Sequence, residues 1–370
     1  MKSEFKSLDD LYNKVTRNKE TWDYYNDLNP LSGSYDFKEI INGSSSFYSK
    51  LIKELLGRSG KIAAQDMLKC VDELFKKEEE EKYDMDADKR LRHIVSLFFF
   101  GHVLYGNCDS IRKNVSRQLR TIGFPKTDDD ARTFSFMWFL LCIFHDLGYA
   151  YEYNLIKDNQ KMSLSAIEEI KPSNFLPLIY NEKNLLQYNH LRQCKWGVND
   201  HGIWGGFSFY KNMLRVGKEI EEKQNEYNIK IFETENVEHI YQYAAWIIMC
   251  HNIFYNNGKD NYTDCYRCCG LDDFIQPKAR CITLKNNPLL FLFCLADTLE
   301  PTKVLKSKSK NPQDDLKLCR LLKMDFGKSS IKFNLSGLSD YIVGEKYNNN
   351  IKGINDWLAD VSDELVIKLK

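Results

Sequence analysis

The run from Phe134 to Phe144 is almost wholly apolar and ends in the dipeptide His145-Asp146. A run of this kind has to be buried, and it falls short of the ~18 residues a membrane span needs. A core helix is the expected form. An imidazole and a carboxylate at the end of such a helix are hard to explain as packing. Imidazole nitrogen with carboxylate oxygen suits a first-row divalent metal, and a buried helix supplies the rigid support that ligands require. A second run, Leu289 to Ala296, leads directly into Asp297. A lone carboxylate on so apolar a segment must be paired, ligating or protonated, because burying an unpaired charge is costly.

Three further histidines lie in or beside apolar, helix-like segments: His93, His201 and His251. His201 follows Asp200 and precedes Gly202, Gly205 and Gly206, small residues that leave room for a ring to enter a pocket. His251 ends the apolar stretch Ala244 to Cys250. His93 and His102 are nine residues apart, and at about 100° per residue they face opposite sides of one helix, so both cannot be ligands there. His190 and His239 lack such apolar context and are expected to make local hydrogen bonds.

Helical periodicity dominates the chain, with helices expected near 88–105, 130–145, 204–224, 234–255, 288–305 and 313–324. Ser7-Leu8-Asp9-Asp10 reads as a capping box opening a short helix. Strand-like alternation appears only late, at 330–335 and 365–369, with a candidate helix at Ile351 to Leu358 between them. With a formal net charge of zero, nothing global favours nucleic acid or an acidic membrane as partner. No apolar h-region follows the first residues, so no signal peptide is expected. The eleven cysteines are scattered through apolar segments and read as reduced thiols of a cytoplasmic protein. Cys265, Cys268 and Cys269, with Cys281 further on, have one CxxC spacing that zinc could use, set against the simpler reading of packing and surface thiols. Lys303, Lys306, Lys308, Lys310, Lys317, Arg320 and Lys323 form a locally basic region, either a solvated face or a draw for anionic substrates.

Taken in order, Arg92-His93-Ile94-Val95-Ser96, His145-Asp146, Asp200-His201-Gly202, Cys250-His251-Asn252 and Ala296-Asp297-Thr298 resemble the HD-domain metallohydrolase superfamily over roughly residues 85–305. The family's first segment, His-x-x-Ser-x-Phe-x-x-Gly, matches His93, Ser96, Phe98 and Gly101 and so selects His93 over His102. The resemblance implies a mostly α protein: an HD-domain helical core at 85–324, an N-terminal helical extension at 1–84, and a small C-terminal α+β appendage at 325–370 packed on the core. It implies one or two divalent metal ions, Fe or Mn favoured over Mg, Co, Ni or Zn. His93, His145, Asp146 and Asp297 would hold one ion, and Asp146, His201 and His251 the other. The implied function is a metal-dependent phosphohydrolase that uses a metal-activated hydroxide on a nucleotide or nucleotide-like phosphoester, with Asp146, His201, His251, Lys303 and Tyr149 as catalytic residues. The expected partner is this small phosphorylated molecule, without membrane or nucleic acid; oligomerisation is left open. Thr298-Leu299-Glu300-Pro301-Thr302-Lys303 is similar to the Ala-Asp…Glu-Pro-x-Arg segment of HD-type diadenosine tetraphosphate hydrolases, which puts Lys303 at the arginine place. One departure concerns substrate: many HD phosphohydrolases carry lysine three residues after the Asp, where this chain has Tyr149. Two rivals share the same ligand set. One is a di-iron oxygenase of the myo-inositol oxygenase kind; the other is a non-catalytic nucleotide-binding module.

Overall fold

The computed structural model describes residues 87–122, 130–146, 148–152, 162–172, 180–211, 213–214, 234–254, 262–275, 282–300, 303, 323–327, 330–334, 349–354, 358 and 366–369. The expected N-terminal extension, with its capping box, and Cys281 lie outside them. The described chain is mostly α. Its helices are α1 (Ala87–Asn107), α2 (Asp109–Thr121), α3 (Asp130–Phe144), α4 (Tyr149–Glu152), α5 (Leu164–Glu168) and α6 (Glu182–Trp196). They continue with α7 (201–211), α8 (Thr234–Cys250), α9 (Thr263–Cys268), α10 (Pro288–Leu299) and α11 (349–354). Among the described residues, no helix is long and apolar enough to cross a membrane.

The apolar runs become the centre of the bundle. Every residue is buried from Met137 to Asp146 on α3 and just beyond it, from Tyr243 to His251 on α8, and from Asn287 to Ala296 on α10. Helices apolar all round can lie only inside a shell of other helices; here α1 packs on α3 and α10, and α8 packs on both. The buried start of α10 leaves backbone N–H groups without intrahelical partners. Gln118 of α2 accepts one of them, from Leu289, at 2.8 Å. Trp138 of α3 donates its indole N–H to the Phe98 carbonyl of α1 at 3.1 Å, so the polar atom of this large core side chain is satisfied.

α6 begins at Asn181, whose side chain caps the Asn184 N–H, and ends at Gly197, whose φ of 67° stops the helix in the left-handed region. The short link that follows delivers Asp200 and His201 to the start of α7. This start lies three residues before the expected one, and Met213 and Leu214 are helical as well. α8 and α10 also end earlier than their patterns suggested, at Cys250 and Leu299.

The C-terminal part corrects two expectations. Residues 323 and 324, assigned above to a helix, open strand β1 (Lys323–Gly327), and the expected strand pair is a three-stranded sheet with β2 (Ser330–Asn334) and β3 (Val366–Leu369) in the order β1-β2-β3. β1 pairs antiparallel with β2, Met324 opposite Phe333; β2 pairs parallel with β3, Ile331 opposite Ile367. These four side chains are buried, as alternation on one pleated face requires. The parallel pairing needs a crossover, and α11 lies within it. Phe333 packs on Phe100 of α1 with ring centroids 6.2 Å apart. Asn350 of α11 donates to the Thr298 carbonyl at 2.8 Å, capping an orphan acceptor at the end of α10.

Candidate metal centre

Two glycines explain how the end of α3, the start of α7 and α8 come together. A Cβ on Gly148 would stand 1.8 Å from the His201 carbonyl oxygen, and one on Gly206 would stand 2.4 Å from the Ala245 carbonyl oxygen. The turn after His145-Asp146 therefore lies backbone to backbone on the start of α7, and α7 lies equally close to α8. This contact brings together side chains far apart in sequence. His93, His145 and Asp297 form one group of ligand-type residues, and Asp146, His201 and His251 form another; within each group the ligand atoms lie within 4.8 Å of one another. The two groups meet at the adjacent residues His145 and Asp146. All six residues expected to hold metal are thus gathered.

Three of the histidines have their ring orientation set from behind. His145 donates Nδ1–H to the Cys142 carbonyl at 2.9 Å, and His251 donates Nδ1–H to the Ile248 carbonyl at 2.6 Å. Both sit just past a helix C-terminus, where unpaired carbonyls are available. His93 Nδ1 meets Glu300 Oε2 at 3.0 Å. Glu300 is fully buried and also accepts the Lys303 backbone N–H at 3.1 Å. Such partners leave Nε2 as the free donor, as in histidines that bind metal. The Nε2 atoms of His93 and His145 then face one another at 3.1 Å, with Asp297 Oδ1 at 3.0 Å from the first and 3.6 Å from the second. Asp146 Oδ1 lies 3.1 Å from His145 Nε2. Two imidazole lone pairs this close require a proton or a cation between them.

The electrostatics agree. Burial and Lys303 push His93 down, but hydrogen bonds to Asp297 and Glu300 outweigh them, and its pKa is raised above the ordinary value. Burial holds His145 down to about 4, against the pull of Asp146 and Asp297. Burial and the neighbouring His251 hold His201 well below its usual value. Burial alone would raise Asp146, yet His145 and Lys303, followed by His93 and His201, keep it below the usual carboxylate range. Asp297 is likewise held down, mainly by Lys303 and His93, against its burial. Lys303 is raised, because Asp297 and Asp146 outweigh its burial. Three carboxylates acting as acceptors, Asp146, Asp297 and Glu300, therefore surround one ammonium. The excess negative charge, the N/O donor set and the facing Nε2 atoms fit a divalent cation.

Asp297 is less enclosed than its apolar helix suggested. Its side chain is 17% exposed and pairs with the Lys303 ammonium, itself 37% exposed. These two, with half-buried Tyr149 stacked on His201, mark the open side of the centre. Lys303, expected among the catalytic residues, is thus at the site and paired with a ligand-type carboxylate. Tyr149 stacks on the His201 ring with centroids 3.9 Å apart and planes 11° from parallel. On the inner side, Phe293 of α10 packs edge-on against His145 and His251 at 5.4 and 5.7 Å.

His102 points elsewhere: its ring packs against Phe98 and Phe134, its Nε2 has no hydrogen-bond partner, and burial lowers its pKa to about 3. His190 bonds to Cys194 on the surface and His239 to Gln242, local roles as anticipated. Cys265 and Cys268 on α9, with Cys269 after it, are free thiols and are not among the residues gathered for a metal. Sequence reasoning missed Glu300, Glu152 and Arg192. Glu300 carried a usable signal, a second acid one helical turn beyond Asp297 on a run otherwise apolar. Asp200, buried completely, was seen only as a neighbour of His201; its carboxylate accepts the Ile203 N–H at 3.0 Å and so caps α7. Compared with known proteins, the chain matches no family model, no curated protein and no solved structure.

Proposed function

We propose that this protein is a metal-dependent hydrolase of a small phosphorylated molecule, with a nucleotide or nucleotide-like phosphoester as the substrate class. The observation that carries this reading is the meeting of two N/O donor groups at His145 and Asp146, beside the ammonium of Lys303. His93, His145 and Asp297 would hold one divalent ion, and Asp146, His201 and His251 the other. Bound there, such ions supply Lewis acidity and a water acidified toward neutral pH.

The chain's own residues support anion chemistry. Lys303 keeps its charge at the open side, where an ammonium attracts an anionic oxygen and stabilises charge that develops on it. Tyr149, at the same opening, adds an aromatic face edge to the entrance while it holds the His201 ring parallel to its own. His145 and His251 have Nδ1–H committed to carbonyls, so neither ring can turn over to offer its other nitrogen. Phe293 closes the inner side to water.

The test starts from metal-depleted protein supplied with Mn²⁺ or Fe²⁺ and a panel of nucleotides, dinucleoside polyphosphates and cyclic nucleotides. Hydrolysis of at least one class is expected, with His145→Ala and Asp146→Ala losing bound metal and turnover together. Full metal content in both variants overturns the site. O₂ consumption by the Fe²⁺-loaded protein, with no phosphoester hydrolysed, overturns the reaction.

A further inference from the structure

His201 differs from the other ligand-type histidines in how its ring is held. His145 and His251 use carbonyls of their own preceding helices. His201 opens α7, and a helix N-terminus offers N–H groups and no free carbonyl. Its Nδ1 is buried with no hydrogen-bond partner. A carboxylate oxygen of α4, Glu152 Oε1, lies 4.0 Å away, beyond hydrogen-bond distance. Glu152 is itself buried and held at both ends. Its backbone carbonyl accepts the Asn199 N–H at 2.9 Å, and its carboxylate lies 3.6 Å from the Arg192 guanidinium of α6. Arg192 is anchored in turn by Asp200, its Nε 3.6 Å from Oδ2, and that Nε also has no hydrogen-bond partner. Asp200 reaches both histidines of the second group: it caps the helix that His201 begins, and it accepts the side chain of Asn252, next to His251, at 3.0 Å.

Two buried donors, His201 Nδ1 and Arg192 Nε, thus hang slightly beyond bonding distance of two buried carboxylates. We propose that Glu152, braced by Arg192 and Asp200, is the positioning residue that takes the His201 Nδ1–H and thereby turns the ring's other nitrogen to the ion held by Asp146, His201 and His251. The inference rests on the two-ion reading given above. It adds that the two ions are controlled separately, since the brace touches only the second group.

The experiment is a Mn²⁺ titration of metal-depleted protein followed by electron paramagnetic resonance, in the parent, Glu152→Ala and Glu152→Gln, with thermal melts of each metal-free chain. Removing a partner of this type weakens metal affinity by about 10- to 100-fold. Glu152→Ala should lose that much for one of the two ions, leave the other at parental affinity, and replace the spin-coupled pair signal with that of an isolated ion. Glu152→Gln keeps an acceptor oxygen and should recover most of the loss. Parental affinity for both ions in Glu152→Ala overturns the proposal while the two-ion reading stands. Equal weakening of both ions, tracking a lower metal-free melting temperature, overturns it as well, because a general structural role would act that way. A parent that binds no second ion overturns both.

Discussion

At the scale of single residues, Asp297 serves two charges at once. In the metal-free chain it neutralises Lys303 and bonds to His93; in the loaded chain it would be a ligand. A carboxylate on so apolar a run had to be paired, ligating or protonated, and Lys303, six residues on, supplies the pairing. Because its folded pKa is depressed, Asp297 contributes stability above the usual carboxylate range and loses it as pH falls through the folded value. Asp297→Asn should therefore lower metal-free stability at neutral pH by about 1 kcal/mol, a modest figure because Lys303 is partly open to water. The difference should shrink in acid, and one ion should be lost; equal melting curves at neutral pH with full metal content would remove Asp297 from the site. His93 works in the opposite sense. Its raised pKa means that the protonated ring stabilises the metal-free fold below the ordinary histidine value and stops doing so as pH rises through the folded value. Metal must displace that proton, so affinity should fall by about tenfold for each pH unit below the folded pKa. Melting shifts with and without Mn²⁺ between about pH 6 and pH 8 measure this, and His93→Ala should abolish the slope while His102→Ala keeps it.

At the scale of elements, the centre depends on how closely backbones can approach. Gly148 against α7, and Gly206 of α7 against α8, leave no room for a methyl group. Gly148→Ala and Gly206→Ala should each cost about 1–3 kcal/mol, the usual penalty for forcing extra atoms into a packed contact. They should also weaken the ion at Asp146, His201 and His251 before the one at His93, His145 and Asp297, because α7 carries only His201. Uniform weakening of both ions would mean that these contacts do no more than hold the fold. The ligand residues were legible in the sequence because each interrupts or ends an apolar helix, where a polar group has to be accounted for. Helix arithmetic set His93 and His102 on opposite faces, and the family resemblance chose His93 between them. Glu152 and Arg192 were not legible in the same way: charged residues are abundant along this chain, and only the folded geometry distinguishes a buried brace from a solvated face. The early end of α10 has a similar cause, since periodicity continues past Leu299 while Glu300 leaves the helix to meet His93.

At the scale of the whole molecule, the question is whether the C-terminal sheet is an independent unit or part of the body that carries the centre. Strand β1 begins inside the helix expected at 313–324, whose last two residues, Lys323 and Met324, are its first. What makes it a strand is pairing with β2, a tertiary effect that local pattern does not contain. The contacts described above join this sheet to the helices at two places: Phe333 lies on Phe100 of α1, the helix that carries His93, and Asn350 caps the Thr298 carbonyl beside Asp297. A parallel bridge between Ile282 and Leu358 adds a third tie ahead of α10. Such connections should make unfolding of the sheet and of the helical core one event. Phe333→Ala removes a ring buried to 1% exposure and should cost about 3–5 kcal/mol. That cost should appear in the core as well as in the sheet. Fluorescence of the buried Trp138 and Trp246, far-ultraviolet circular dichroism and the loss of bound Mn²⁺ should shift together to lower temperature, as a single cooperative transition requires. If the tryptophan signal and the metal stayed at parental values while only a minor circular dichroism step moved, the sheet would be a separate unit, and the position of His93 and Asp297 would owe nothing to it.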